Sequence, residues 1–325
     1  MKAHNLKPHT LKRFFAAGAL ALIANAACAA WPDDRPIELV VGFAPGGGTD
    51  VMARLVAQHL EKRLSPNARI IVINKPGAGG EIAVRYVAAA KPDGYTLGMI
   101  NAPGFVYLPL RKGAKYKPED IRLIARLVDD PLLFIKRRGS GAPDDLPGLV
   151  QKLKQSSESL SFGHSGDGTT GHLALMDLER SQGVRGNSVP FKGGGDIRLG
   201  VLGNHIDYGL ITVSEVPELN DPNGPFAAIA ITSDKRHNGT IPTAAEAGIA
   251  LRYSSERGMG GPANLPDPIR KKLEQALQDT LKDPAFLAAS GRDAAVLAFQ
   301  PGEQWKESLD RQTLMFKADE APSLN

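Results

Sequence analysis

The sequence predicts an α/β fold divided into two lobes. Short runs of β-branched and apolar residues alternate with segments whose apolar residues recur at helical spacing, as in layered α/β proteins. Two stretches rich in proline, glycine or asparagine, 101–120 and 220–225, interrupt this alternation and predict crossings between lobes. The chain has 325 residues, a length that accommodates two domains of about 150 residues each.

The first lobe is predicted to comprise residues 30–104 and 226–325. Its strands are predicted where short apolar runs end at turn residues, and its helices where apolar residues follow a 3.6-residue period. The predicted strands are 37–43, 69–73, 96–100 and 226–232, and the predicted helices are 50–64, 80–90, 267–282, 284–290 and 302–319.

The second lobe is predicted to comprise residues 105–225. Its predicted strands are 132–136, 160–163, 188–191 and 205–211, and its predicted helices are 144–155, 169–182 and 194–203. Ligand clefts often lie between domains and at the carboxyl ends of strands in open α/β sheets. We therefore expect a ligand cleft between the lobes.

The turn after the first predicted strand is expected to bind an anion at this cleft. It reads Phe43-Ala44-Pro45-Gly46-Gly47-Gly48-Thr49-Asp50, and either Thr49 or Asp50 can cap the helix that follows. Glycine lets backbone N–H groups approach a ligand without a Cβ between them. The helix end adds unpaired donors and partial positive charge, a combination that favours carboxylates as much as phosphates.

Residues 1–29 are predicted to be a signal peptide. A basic start precedes the apolar stretch 14–27, and Ala27-Cys28-Ala29 offers cleavage after Ala29 or Ala30. Cleavage removes the chain's single cysteine, and the loss of four basic residues from a net charge of +4 leaves the remainder near neutral. We therefore expect a periplasmic protein without disulfides, nucleic-acid binding or membrane insertion.

A second turn between strand and helix, within 160–172, is open to several interpretations. Ser165, Thr169 and Thr170, with Gly166 in the same turn, can donate to a carboxylate or simply cap a tight turn. Gly163-His164-Ser165-Gly166-Asp167 also resembles a nucleophile elbow, although Asp167 replaces its last glycine. Residues 166–171 match G-x-G-x-x-G, but 183–195 contains no ribose-binding acid, so no dinucleotide cofactor is predicted.

Two further side chains are candidates for the cleft, and no metal site or cofactor is predicted. Lys192 follows a predicted strand and either approaches an anion or lies at the surface. Asp207 either holds neighbouring loops together or faces the cleft. The seven histidines show no H-E-x-x-H pattern and no spaced Cys/His set.

The glycine loop with its flanking strand, Val40 to Asp50, resembles the opening of the Bug-type extracytoplasmic receptors, the solute-binding proteins of tripartite tricarboxylate transporters. The resemblance continues in order along nearly the whole chain, through 74–80, 91–97, 160–174, 189–193, 231–236 and 241–248. It implies two lobes of the periplasmic binding protein type (type II-like) that close on a small ligand, mostly a carboxylate and sometimes an amino acid or aromatic acid.

The resemblance also implies which residues contact the ligand. Residues 43–50 and 165–170 would form two binding loops, and Asn101 would add a contact. Members of the family grip a carboxylate through backbone groups and ordered waters rather than an arginine. This chain departs from the family at Glu81, at Ser255-Glu256-Arg257 and at 212–215, and these departures leave the ligand's identity open.

These observations predict a monomeric, non-catalytic periplasmic receptor for a small organic acid or amino acid. It would contact membrane transporter subunits transiently. Two alternatives remain open: a secreted serine hydrolase that uses Ser165, and a periplasmic sensor subunit of a signalling system.

Overall fold

The computed structural model describes residues 31–320 apart from Lys112, Glu158, Pro217 and Asn220. The predicted signal peptide at 1–29 lies outside the described residues. The strands are β1 (Ile37–Val41), β2 (Ile70–Asn74), β3 (Thr96–Ala102), β4 (Ile121–Arg137), β5 (Ser161–His164), β6 (Asn187–Pro190), β7 (Tyr208–Thr212), β8 (Phe226–Ile231), β9 (Ser254–Pro262) and β10 (Leu297–Pro301).

Helices cover both halves of this sheet. They are α1 (Gly48–Leu64), α2 (Glu81–Ala88), α3 (Gly104–Tyr107), α4 (Leu146–Gln155), α5 (Thr170–Gln182), α6 (Gly194–Leu202), α7 (Asp267–Lys282), α8 (Pro284–Ser290) and α9 (Gly302–Glu320). Within the part of the chain that the structure describes, none of the helices is both long and apolar enough to cross a membrane.

The strands form two half-sheets that share one long strand. The order is β2-β1-β3-β9-β4-β7-β5-β6, and β8 and β10 also pair with β4. The 17 residues of β4 pair with β9 as far as Pro131, and with β7 and β8 from Leu132 onward. The chain therefore passes from one half-sheet to the other within β4.

The structure differs from the predicted lobe boundaries. Residues of the predicted first crossing, among them Phe105 and Tyr116, pack in the core of the first half-sheet. Strand β8 pairs with the second half of β4, although its residues were assigned to the first lobe. Each of the proline- and glycine-rich stretches marks turns within one lobe. The actual crossing is continuous strand, so its sequence carries no turn signal.

Strand β9 was not predicted, and its sequence explains why. It reads Ser-Ser-Glu-Arg-Gly-Met-Gly-Gly-Pro, which is rich in glycine and lacks the β-branched residues of a typical strand. A Cβ at Gly258 would lie 2.3 Å from the carbonyl oxygen of Ala125 and 2.4 Å from the ring of Trp305. Glycine is required here because a neighbouring strand and an aromatic ring approach closely.

Buried apolar stripes position the helix ends at the carboxyl edges of the strands. In α1, Met52, Val56 and Leu60 are fully buried against the first half-sheet. In α5, Leu175 and Leu178 pack in the core of the second half-sheet. Each stripe fixes the face of its helix that packs on the sheet, and the first turns of α1 and α5 line the space between the half-sheets.

Candidate functional site

A cavity of about 170 Å³ lies between the two half-sheets. The first half contributes the loop after β1 and the end of β3. The second half contributes the turns after β5, β6 and β7. The residues that line the cavity include Phe43, Ala44, Pro45, Gly46, Gly47, Gly48, Thr49, Gly79, Asn101, Ser165, Thr169, Thr170, Gly193, Asp196, Thr212, Glu215, Ser255 and Arg257.

Three helices begin at this cavity. Helix α1 starts at Gly48, α5 at Thr170 and α6 at Gly194, and none of their N-cap residues makes a side-chain cap hydrogen bond. The first N–H groups of each helix lack intrahelical partners, and the helix dipole adds partial positive charge there. The convergence of three such ends creates an environment suited to an anion.

Asp50 braces the glycine loop and does not line the cavity. Its carboxylate is buried and accepts hydrogen bonds from the Gly46 N–H at 2.9 Å, from Asn74 Nδ2 at 2.8 Å and from the Arg54 guanidinium. Burial raises the pKa of Asp50, but the bonds from Arg54, Gly46 and Asn74 outweigh it, so the pKa lies below its ordinary value. The charged carboxylate therefore holds the loop in shape.

Thr49 and Asn101 form a hydroxyl–amide pair in the cavity wall. Asn101 Nδ2 donates to Thr49 Oγ1 at 2.7 Å. This leaves the Thr49 hydroxyl proton free to be donated to a ligand. Asn101 Oδ1 is buried and accepts no hydrogen bond from any described residue.

The hydroxyl-rich turn presents Ser165, Thr169 and Thr170 to the cavity. Gly166 does not line the cavity and instead closes the turn: its φ is 107°, and its carbonyl oxygen accepts from Thr169 Oγ1 at 2.6 Å. A side chain at this φ would be strained, which explains the glycine. The turn is therefore preformed; the Thr169 hydroxyl is used to close it, and Ser165 and Thr170 also line the cavity.

Lys192 and Asp207 also lie outside the cavity lining. Lys192 is exposed, although the neighbouring Gly193, Gly195 and Asp196 line the cavity. Asp207 accepts hydrogen bonds from the Ser161 N–H at 2.8 Å and from Ser161 Oγ at 2.6 Å. It joins β5 to the segment that precedes β7.

Glu215 and Arg257 line the cavity and were not among the predicted site residues. Glu215 Oε2 accepts from the Thr212 N–H at 3.3 Å and Thr212 Oγ1 at 3.1 Å, and its Oε1 accepts from the Gly48 N–H at 3.3 Å. Glu215 thus links the second half-sheet to the start of α1. The departures from the family at 212–215 and 255–257 were the signal for both residues.

Arg257 is buried beneath the cavity with a buried counter-ion. Its exposed fraction is 2%, and Nη2 donates to the Asp130 carboxylate and, at 3.0 Å, to Thr212 Oγ1. Asp130 is fully buried and also accepts from the Ser214 N–H at 3.2 Å. The positive charge of Arg257 is therefore compensated within the protein.

His164, Asp167 and His172 form the only group in the described ranges whose ligand atoms are close enough for a metal, within 4.8 Å of one another. Three of the four imidazole nitrogens already have hydrogen-bond partners. His164 contacts Gly166 and Ser188, and His172 Nδ1 accepts from the Gly168 N–H at 3.1 Å. The group serves as a brace behind the hydroxyl-rich turn.

His164 is expected to make stability depend on pH. Burial, followed by the neighbouring His172, lowers the pKa of His164 from 6.5 to about 4. As pH falls below 6.5, the unfolded chain binds a proton that the folded protein does not accept until about pH 4. The free energy of unfolding should therefore fall by up to about 3 kcal/mol across this interval.

Urea unfolding at pH 7, 6, 5 and 4 measures this loss. The His164→Gln variant should show a flatter pH dependence than the parent protein. An unchanged slope in His164→Gln would contradict this assignment.

Known proteins match this chain along most of its length. The profile of the family TctC, described as "Tripartite tricarboxylate transporter family receptor", matches residues 52–313. A UPF0065 protein of Bordetella pertussis is 30% identical over 291 residues, which cover 87% of each chain.

Solved structures of similar proteins share the fold. Periplasmic binding protein BugD is 29% identical with a TM-score of 0.78, over 87% of this chain and 95% of its own. MatC from Rhodopseudomonas palustris, solved with bound malate, is 26% identical with a TM-score of 0.80, over 89% of this chain and 99% of its own. These neighbours confirm the α/β, two-lobed fold class that the sequence predicts.

The family match also confirms the resemblance seen in the glycine loop and the later segments. We conclude that the chain belongs to the tripartite tricarboxylate transporter receptor family and is a solute-binding receptor.

Proposed function

We propose that this receptor captures a small carboxylate-bearing ligand in the cavity between its half-sheets and presents it to membrane subunits of a tripartite transporter. The convergence of three helix N-termini on the cavity, none of them capped by the side chain of its own N-cap residue, is the observation that carries this proposal. The malate bound by MatC, a structural neighbour, is a small carboxylate of the expected kind. Export by a signal peptide at 1–29 would place this function in the periplasm.

Closure of the two halves around the ligand would be the signal that the membrane subunits recognise. A ligand that contacts both halves favours the closed form by its differential affinity. Residues 43–49 with Asn101 would hold it from one side, and Ser165 with Thr169 and Thr170 from the other. The two-strand connection through β4 and β9 is the natural hinge.

A catalytic role for Ser165 has less support than a binding role. A serine nucleophile requires a base within hydrogen-bond reach. In the described residues no histidine bonds to Ser165, and the adjacent His164 is directed at Ser188 and Gly166. We therefore propose a non-enzymatic receptor. A sensor subunit would need the same closing cavity and differs only in its partner.

Thermal unfolding of the purified mature protein with a panel of organic acids and amino acids tests the proposal. A carboxylate ligand at 100 times its Kd should add about 2.7 kcal/mol of apparent stability. The uncharged diamide of the same carbon skeleton is the matched control and should add none. No stabilisation by any carboxylate would contradict the proposal.

The Ser165→Ala variant separates the receptor from the hydrolase. In a receptor, the loss of one hydrogen bond to the ligand carboxylate should weaken ligand binding by about 1.5–3 kcal/mol. In a hydrolase, the same change should abolish ester hydrolysis that the parent protein performs. Isothermal titration and an ester assay on both proteins distinguish these outcomes.

A further inference from the structure

We infer that Glu215 makes this receptor selective for zwitterionic ligands, which carry a cationic nitrogen as well as a carboxylate, over dicarboxylates of the same length. The inference rests on the proposed carboxylate-binding function and adds a second recognition group to it.

Negatively charged side chains predominate in the lining of the cavity. In the described part of the lining, the charged side chains are Asp196, Glu215 and Arg257. Arg257 is already neutralised by the buried Asp130. The two charges at the cavity that have no side-chain counter-ion among the described residues are therefore both negative, and they favour a cationic group over a second carboxylate.

The Glu215 carboxylate lies beside the starts of two helices. It accepts from the Gly48 N–H at the start of α1, and a Cβ on Gly194 would lie 2.6 Å from Glu215 Oε1, so the carboxylate also adjoins the start of α6. Glu215 thus accepts from one of the three helix N-termini that face the cavity and lies beside a second. The third, at Thr170, remains available for the ligand's own carboxylate.

Glu215 also retains acceptor capacity for a ligand. A carboxylate offers about four lone-pair sites. The structure uses three of them, for the Thr212 N–H, Thr212 Oγ1 and the Gly48 N–H. The bonds to Thr212 fix the side chain in its own half-sheet, so a ligand ammonium can meet a preformed partner.

Asn101 provides an independent observation that points to a donor on the ligand. Its Oδ1 is buried, lacks a hydrogen bond to any described residue, and belongs to a side chain that lines the cavity. A buried acceptor without a partner is costly, and an ammonium N–H can satisfy it. An ionised carboxylate only accepts hydrogen bonds and cannot do so.

Isothermal titration with matched ligand pairs tests the inference. Each pair replaces one carboxylate by an ammonium group: succinate with 3-aminopropanoate, glutarate with 4-aminobutanoate, and adipate with 5-aminopentanoate. Common α-amino acids complete the panel. The protein is first unfolded and refolded to remove any ligand that co-purifies. We expect an amino acid to bind at least about tenfold more tightly than any of these dicarboxylates, which corresponds to about 1.4 kcal/mol.

Three variants connect the preference to Glu215. Glu215→Gln should weaken binding of the preferred amino acid at least about tenfold, because the ligand ammonium loses its charge partner. It should improve binding of a dicarboxylate, because the second carboxylate of that ligand no longer meets a like charge. Asp196→Asn should shift the preference in the same direction. Glu307→Gln, at an exposed position of α9, removes the same charge outside the cavity and should change neither affinity. Thermal melts establish that each variant is folded.

Other outcomes overturn the inference without overturning the proposed function. If dicarboxylates bind more tightly and Glu215→Gln strengthens the binding of every ligand, the Glu215 carboxylate only fills the position that a ligand carboxylate takes when it binds. If Glu215→Gln and Asp196→Asn leave the preference unchanged, these carboxylates do not set it. If no carboxylate of either kind binds, the proposed function itself fails.

Discussion

Replacement of Gly48 by alanine is expected to weaken ligand binding by roughly a hundredfold, or about 2.7 kcal/mol, while the fold remains intact. A Cβ at this position would lie 3.0 Å from Arg257 Nη1 and 3.2 Å from Glu215 Cγ. Arg257 cannot yield easily, because it is buried and held by Asp130. Arg257 lies in β9 of the same half as Gly48, so of these two contacts it is the one with Glu215, from the other half, that depends on closure. The added methyl group therefore opposes closure through Glu215, and opening relieves that contact.

Gly47→Ala is the matched control for this variant. Gly47 has a φ of −74°, which alanine adopts readily, and its added Cβ would meet only the carbonyl oxygen of Ala44 at 3.5 Å. Gly47→Ala should therefore retain most of the parent's affinity in isothermal titration. Equal and undiminished binding by both variants would contradict the role assigned to Gly48.

Asp130→Asn is expected to lower the free energy of unfolding by about 3–5 kcal/mol, since it leaves Arg257 as a buried charge without a counter-ion. Asp130 is fully buried and Arg257 has an exposed fraction of 2%. The pair lies where β4 and β9 connect the half-sheets, and it supports Thr212 and Ser214 below the cavity. Urea unfolding, with midpoint and slope both fitted, measures the loss.

Two controls define this prediction. The double variant Asp130→Leu with Arg257→Met replaces the pair by apolar side chains and should recover most of the lost stability. Asp234→Asn breaks an exposed pair with Arg252 and should cost less than about 1 kcal/mol. A loss below about 1 kcal/mol in Asp130→Asn would show that Arg257 finds another partner or water.

The alternation of strands and helices was predictable because most elements carry their own signal. The start of α1 and the turn before α5 were both placed within two residues, since glycine and hydroxyl residues mark the ends of strand and helix there. Strand β9 carries no such signal, because its glycine at position 258 is required by close contacts with Trp305 and Ala125, and these contacts arise only in the folded protein. The lobe boundaries were missed for a related reason: the connection between the half-sheets is the continuous strand β4.

The backbone part of the site was easier to anticipate than its charged part. Gly46 to Thr49 and Ser165 with Thr169 and Thr170 belong to local turns whose chemistry is legible in sequence, and all of them line the cavity. Glu215 and Arg257 reach the cavity from segments distant in the chain, so no local turn pattern reveals them, and only the departures from the family pattern at 212–215 and 255–257 pointed to their segments. Conversely, the sequence predicts Asp50 and Asp207 as ligand-binding candidates, but in the structure each carboxylate accepts hydrogen bonds from neighbouring groups of the protein.

The most direct test of the central claim is a crystal structure of the mature receptor with the tightest carboxylate ligand from the thermal screen. We expect a carboxylate between the half-sheets, with its oxygens about 2.7–3.2 Å from N–H or hydroxyl groups of Thr49 and of residues 165–171. A ligand bound instead in the larger cavity beside Tyr107, Arg111 and His172, with the space between Gly48 and Thr170 left free of it, would contradict the proposed function.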